Sequence, residues 1–358
     1  MGTLAEGVCN LAYGDEVQNP SRVRMVQKMK MKGDEKTFSQ LAEASLTMIL
    51  HEGVQSDCID VVFDVYKEPS INGAERCNRS SGGAIQFSSI APGHSIQQWR
   101  KLLGSSSNNA SLVRFLVEEW KQAKHREKLQ NKLLYVTCDD LCYKLTIEHC
   151  EAVGELQSTH EEADTQMLLH ALHAAQAGYK AVVITAEDAD VLPSTKTYHA
   201  LFIKSVEPET AHFQDINRLA RALGDNVCTA LVGLHLLTGC DTVSAFAGRG
   251  KLTALKQLKT NRTHQEAFGQ VGQSWDASRQ LFQKLQEITC RLYLPSTRTR
   301  TVNELRYQIC AGRGEVESSQ LPPCEDCLFM HVLRANYQVA IWRRCLQSRP
   351  IVPCPTGH

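Results

Sequence analysis

Three short apolar runs, each set between segments with helical periodicity, constrain the fold of this chain more than any other feature. They are Cys58-Ile59-Asp60-Val61-Val62-Phe63-Asp64, the LLYVTC run at 133–138 and the AVVIT run at 181–185. Runs of this length are too short for buried helices and suit strands of a parallel sheet covered on both faces. The intervening pattern is helical. Residues 38–51 carry Leu41, Ala42, Leu46, Ile49 and Leu50 near one face, and residues 162–177 carry Ala163, Met167, Leu168, Ala171 and Leu172. Gly178 follows where a C′ glycine belongs. Further helices are expected at 99–103, 112–129 and 217–237, and from a glycine-rich turn into 248–258. Strand-helix-strand order repeated in this way predicts an α/β fold with a mainly parallel central sheet, a helical insert and a helical C-terminal region.

With 42% hydrophobic and 22% charged residues over 358 positions, the chain has ample material for a core. No stretch approaches the roughly 20 apolar residues of a membrane span. Residues 1–10 show no basic segment followed by an apolar one, so the 14 cysteines read as reduced thiols of an intracellular protein. No G-x-S-x-G, Walker A or dinucleotide glycine pattern is present, which disfavours serine hydrolases, P-loop NTPases and Rossmann enzymes.

The formal charge balances at 39 against 39, but it is unevenly spread. From Asp139 to Asp190 eleven acidic residues face only Lys144 and Lys180. The stretch at 97–132 is cationic, with Arg100, Lys101, Arg114, Lys121, Lys124, Arg126, Lys128 and Lys132. An acidic centre with basic flanks is the charge plan of a metal-dependent enzyme acting on a polyanion.

Within that centre the carboxylates fall at element ends. Asp64 and the pair Asp188 and Asp190 follow predicted strands, and in open α/β sheets ligands bind beyond the carboxyl ends of the strands. In extended backbone Asp188 and Asp190 point the same way. Glu162 and Asp164 open a helix, where the dipole favours negative charge, and Asp241 lies in the TGCD turn. Six carboxylates in one site would repel one another unless cations neutralised them. Hard divalent ions, Mg²⁺ or Mn²⁺, take such oxygen ligands, and a pair of them can activate water for phosphodiester hydrolysis.

Gly248-Arg249-Gly250-Lys251, ahead of a helix, offers backbone N–H groups and two cations to a phosphate. Cys324 and Cys327 form a C-x2-C, with His331 four residues on and Cys310 or Cys345 as a fourth ligand, a candidate structural zinc set. His170 and His173 read as helix-surface residues, and Cys138 and Cys142 as buried thiols.

The series VVFDVYKEPSINGAER, EEADTQMLLHALHA, VVITAEDADVL and LTGCDTVSAFAGRGKLTAL resembles the core of the flap-endonuclease/XPG-type 5′-nucleases of the PIN-like superfamily. The likeness covers about 55–79 and 155–260, in family order. The full chain looks most like a group of animal proteins that share the TGCDTVSAFAGRGK segment. The nuclease resemblance implies a three-layer fold, with an N-terminal segment at 1–54 and a nuclease core at 55–240 whose basic helical insert spans about 97–132. It further implies a helix-hairpin-helix-like nucleic-acid-binding region at 241–290, followed by an Arg/Cys-rich helical region at 291–358. It implies metal-ligand roles for Asp64, Glu162, Asp164, Asp188, Asp190 and Asp241. Arg76, Arg79 and the 248–251 turn would contact the nucleic-acid backbone. The implied cofactors are two Mg²⁺ or Mn²⁺ ions, and the implied partner is nucleic acid, DNA before RNA, with the nucleus favoured over the cytoplasm.

Three departures from that pattern stand out. The family begins with a strand bearing its first catalytic aspartate, whereas here Pro20-Ser21-Arg22-Val23-Arg24 precedes Met25, no such strand is predicted, and Asp15 lies outside any apolar run. Pro193 interrupts the run after Asp190, and Thr242 stands where the family has an aromatic. The expectation is therefore a metal-dependent nuclease or, in a truncated or degenerate member, a catalytically inactive scaffold that binds nucleic acid or protein.

Overall fold

Thr37 starts the first long helix, and the capping is reciprocal. Its side chain accepts from the Gln40 backbone N–H while the Gln40 side chain accepts from the Thr37 N–H. This capping box satisfies two backbone donors that a helix start leaves without partners. The helix, α1 (Phe38–Glu52), buries Phe38, Leu41, Leu46 and Ile49, the stripe the periodicity predicts. The computed structural model describes residues 22–26, 37–66, 90–95, 105–186, 201–205, 213–313, 316–317 and 320–353. The expected helix at 99–103 lies outside them.

The described residues divide into two units, one built on a sheet (within 22–217, with 345–350) and one built of helices (within 218–344, with 351–353). The sheet holds β1 (Arg22–Val26), β2 (Cys58–Val61), β3 (Leu133–Cys138), β4 (Leu141–Leu145), β5 (Cys150–Ala152), β6 (Ala181–Ala186), β7 (Leu201–Ser205) and β8 (Phe213–Asp215). Their order across it is β5-β4-β3-β2-β1-β6-β7-β8.

Two expectations change here. A strand does occupy 22–26, and it lies in the middle of the sheet, parallel to β2 on one side and to β6 on the other. Its sequence, RVRMV, alternates arginine with apolar residues and so lacks the unbroken apolar run that marks the other central strands. The sheet as a whole is mixed. β3-β2-β1-β6-β7 run parallel, but β4 and β5 add antiparallel strands at one edge and β8 at the other. Asp139 takes a left-handed φ of 52° in the tight turn from β3 to β4, a conformation aspartate tolerates better than most residues. That hairpin lies within a stretch whose acids had drawn attention for charge rather than for turn chemistry.

Helix α1 and α2 (Ser106–Trp120) cover one face of β2 and β3. Ile59, Val61, Leu134 and Val136 pack there with Leu112, Leu116 and Trp120. Trp120 is 1% exposed, and its indole N–H donates to the Ala42 carbonyl at 2.8 Å, satisfying the polar atom that burial would otherwise strand. A short helix, α3 (Ala123–Arg126), follows. Lys132 donates to the carbonyls of Gly53, Val54 and Ser56, closing the C-terminal end of α1. The opposite face of β2 receives α4 (Ala163–Gln176), ended by Gly178 at φ 88°.

The helical unit is composed of α5 (Ile216–Leu223), which starts at the boundary, α6 (Asp225–Leu237), α7 (Lys251–Thr260), α8 (Arg262–Gln270), α9 (Arg279–Tyr293), α10 (Val302–Arg313) and α11 (Glu325–Trp342). The single helix expected at 217–237 is two helices. Gly224 takes φ 80°, which only glycine adopts freely, and so ends α5 before α6 begins. Arg343 then holds the region together by donating to the carbonyls of Val271, Gly269 and Thr229.

Replacing Trp120 removes the largest fully buried side chain among the described residues of the sheet unit, and its indole hydrogen bond. Trp120→Ala is expected to lower the stability of that unit by about 3–5 kcal/mol, read from urea titrations followed by circular dichroism. A loss below about 1 kcal/mol would show that the α1–α2 layer does not depend on it.

Candidate carboxylate site

Beyond Val61 the chain that follows β2 is fastened on both sides. The Phe63 N–H donates to the Thr137 hydroxyl at 2.8 Å, and the Val65 N–H donates to the Glu161 carbonyl at 2.8 Å. Between them Asp64 reaches the start of α4, where its Oδ1 accepts from the Ala163 N–H at 2.8 Å. Glu162 is the N-cap of that helix and makes no side-chain capping bond, so Asp64 supplies the cap from another element. Asp164 sits in the first turn. Asp64, Glu162 and Asp164 are thus gathered at one helix start, all half-buried and within reach of solvent. The positive end of the α4 dipole offsets part of their mutual repulsion.

Strand register extends this edge. Val61 and Thr185 both pair with Val26, so they lie in one row across β2, β1 and β6. Asp64 follows Val61 by three residues, and in sequence Asp188 follows Thr185 by three. Asp188 and Asp190, like Arg76 and Arg79, lie outside the described residues. β1 ends on Val26 in the same row, and neither β1 nor the Gln27-Lys28-Met29 that follows contains a carboxylate.

Asp241 belongs to the helical unit, exposed in the turn after α6, where the Cys240 N–H donates to the Val243 carbonyl. In the 248–251 turn, Gly248 takes φ 66° and Gly250 is the N-cap of α7. The Arg249 guanidinium lies over the Tyr293 ring at 4.9 Å and donates to the Tyr293 carbonyl. Lys251 Nζ stands 2.9 Å from His235 Nδ1, and His235 in turn stacks on Trp342. Both cations are therefore in contact with their own unit.

The four C-terminal candidates do not converge. Cys310 is exposed on α10, Cys324 is the N-cap of α11 and Cys327 lies in its first turn. His331 turns away, with Nε2 at 2.8 Å from the Leu237 carbonyl and Nδ1 facing the Ser244 hydroxyl. Among the described residues no group of three or more His, Cys, Asp or Glu side chains is arranged to hold a metal ion. That statement includes Asp64, Glu162 and Asp164, which share a helix start without closing into a cluster.

A buried polar pair was missed by the periodicity argument. Asp60, 1% exposed on the α4 side of β2, accepts from or donates to His170 Nδ1 at 2.8 Å according to the protons the pair holds. Cys58 Sγ donates to the other Asp60 oxygen at 3.4 Å. His170 therefore faces the sheet rather than solvent, and its Nε2 has no hydrogen-bond partner among the described residues. Burial pushes the Cys58 thiol far up and the Tyr135 hydroxyl up to about 12, so neither ionises near neutrality. The sequence signal was an aspartate inside an apolar strand run, a residue that strands exclude unless it has a partner.

No protein-family model and no curated protein matches the chain. Two solved structures of a bacteriophage T5 protein are similar over most of their length. One, of the D15 protein crystallised with metal ions, is 10% identical, with 91% of this chain and 92% of that chain covered and a TM-score of 0.41. The other, a flap endonuclease complex with DNA and metal ions, is 13% identical at the same coverage, with a TM-score of 0.39.

Removing one member of the buried pair leaves an uncompensated polar group. His170→Ala is expected to cost about 3–5 kcal/mol, and Asp60→Asn clearly less, because the amide still offers an oxygen. Equal and small losses would contradict a buried pair.

A pH dependence follows as well. His125, His173, His264 and His331 are each held below the usual histidine value of 6.5, in every case chiefly by burial. A folded value below the unfolded one means that unfolding takes up protons as pH falls through about 6.5. The urea midpoint should fall between about pH 7 and pH 5; a flat profile would refute the assignment.

Proposed function

We propose that the sheet unit acts as a divalent-metal-dependent phosphodiesterase on nucleic acid. The observation that carries this is the strand-end carboxylate Asp64, delivered to the start of α4 beside Glu162 and Asp164. The sequence position of Asp188 just after β6, and the series of four motifs in nuclease order, support the same reading. Asp188 and Asp190, which follow β6 in sequence, would complete the oxygen donor set. Mg²⁺ or Mn²⁺, once bound, supplies an activated water and stabilises the leaving oxygen.

The chain's own contribution is positional. Asp64 is held by the Ala163 N–H, and the fastened segment around it fixes its direction. The backbone donors at the start of α7 and the cations Arg76, Arg79, Arg249 and Lys251 would orient the phosphates, which makes affinity fall with salt. DNA before RNA, and the nucleus before the cytoplasm, are the finer parts of the proposal. No helix among the described residues is long and apolar enough to cross a membrane.

A second reading, a nuclease-like scaffold without catalysis, is favoured by one observation: the central strand β1 carries no carboxylate. An assay on flap, hairpin and single-stranded substrates with Mg²⁺ or Mn²⁺ separates the two. Asp188→Ala/Asp190→Ala should reduce cleavage by at least about 10²–10³-fold. Activity surviving the double substitution overturns the proposed donor set. Wild-type protein that binds salt-sensitively but never cleaves establishes the scaffold.

Asp64 allows a finer test, since its cap and its chemistry are separable. Asp64→Ala should lose about 0.5–2 kcal/mol with the cap, whereas Asp64→Asn keeps an acceptor and most of the stability. Both should lose cleavage. An Asp64→Asn protein with full activity would make Asp64 a helix cap alone.

A further inference from the structure

The Cys324 and Cys327 pair remains unexplained by the phosphodiesterase proposal, and the geometry around it is specific. Cys324 occupies the N-cap of α11 and Cys327 its first turn, three residues on. The turn is closed by the Leu328 N–H donating to the Cys324 carbonyl at 2.9 Å, and Leu328 itself is fully buried. Two contacts from α10 hold the approach. Asn303 Oδ1 accepts from the Glu325 N–H at 3.0 Å, and Arg306 donates to the Pro322 carbonyl. Pro322 and Pro323 stiffen the segment before Cys324. The sulfurs are held on a fixed frame, yet Cys327 is exposed and Cys324 partly so.

The two thiols are not equivalent. Cys324 stands at the N-cap, where the unpaired backbone N–H groups and the positive end of the α11 dipole favour a thiolate, whereas Cys327 lies inside the first turn. The Cys327 thiol is raised, first by its hydrogen bond with Cys324. Arg306 adds positive charge beside both. By contrast Cys58, Cys142 and Cys290 are buried, and burial pushes their thiols up. Thiolate character and access decide which cysteine reacts, and a Cys-x-x-Cys at a helix N-terminus combines them.

We propose that Cys324 and Cys327 are a redox-active dithiol, Cys324 attacking and Cys327 resolving, oxidised to an intramolecular disulfide by small-molecule disulfides of the glutathione type. The Cys324 thiolate attacks one sulfur of the oxidant, whose S–S bond breaks and whose departing thiolate takes a proton. A mixed disulfide remains on Cys324. Cys327 then loses its proton and attacks the Cys324 sulfur, releasing the second small thiol. The dithiol gives up two electrons and one disulfide becomes two thiols. Cys324 and Cys327 lie across one helical turn, where Cβ atoms are about 5–6 Å apart, so closure tightens the turn and leaves a bond that small thiols readily reduce.

The test uses the full chain in buffers of reduced and oxidised glutathione, with acid quenching, alkylation and peptide mapping. In wild type the peptide holding Cys324 and Cys327 should pass reversibly between two alkylated thiols and one internal disulfide, with no mixed disulfide accumulating. Cys327→Ser should trap glutathione on Cys324. Cys324→Ser should react at Cys327 at least about tenfold more slowly, and serine is a favoured N-cap, so the helix persists. Equal rates in the two variants, or wild-type thiols that stay reduced in excess oxidised glutathione, overturn the proposal. So does zinc bound at these two cysteines in the protein as purified.

Discussion

The arrangement of the sheet unit depends on how one helix is seated on one strand. β2 and the residues beyond it present two aspartates to α4, Asp64 to the backbone N–H of Ala163 and Asp60 to the ring of His170. Ala163 and His170 are seven residues apart, two helical turns, and so lie on one side of α4. The outer contact is a helix cap worth about 1 kcal/mol in most settings. The inner one is a buried, hydrogen-bonded pair, and losing either partner costs several times more. Stability therefore rests more on Asp60 than on Asp64, which lies half-buried at the rim.

This division explains why the acidic edge can exist at all. Carboxylates gathered at a strand end repel one another unless something offsets them. Here the start of α4 supplies a backbone donor and a positive dipole end before any cation arrives. The helical unit follows a different logic, in which Arg249, Lys251 and Arg343 stabilise their own neighbours through carbonyls and ring faces. Their charge is therefore fixed in direction by the fold.

Much of the fold was legible in the chain. The stripe of α1, the glycine that ends α4 and the apolar runs of β2, β3 and β6 all follow local rules of period and capping. That Glu162 and Asp164 open a helix was legible too, since an acidic pair ahead of an apolar-periodic segment marks a helix start. β1 was not, since its arginines break the apolar signature of a central strand. His170 was not either. An isolated histidine on a helix looks the same whether its partner is water or an aspartate 110 positions away.

By itself the sequence determined the apolar stripes of α1 and α4, the runs of β2, β3 and β6 and the glycine after α4, because those depend on neighbours within a few residues. Only the tertiary structure decided that residues 22–26 enter the centre of the sheet, that both edges are antiparallel and that Asp60 meets His170. It also decided that His331 turns its ring from the cysteines toward Leu237 and Ser244. Each of these outcomes is a pairing between distant segments. Such pairings are selected by register and by the need to satisfy buried polar atoms, neither of which any local stretch of this chain encodes.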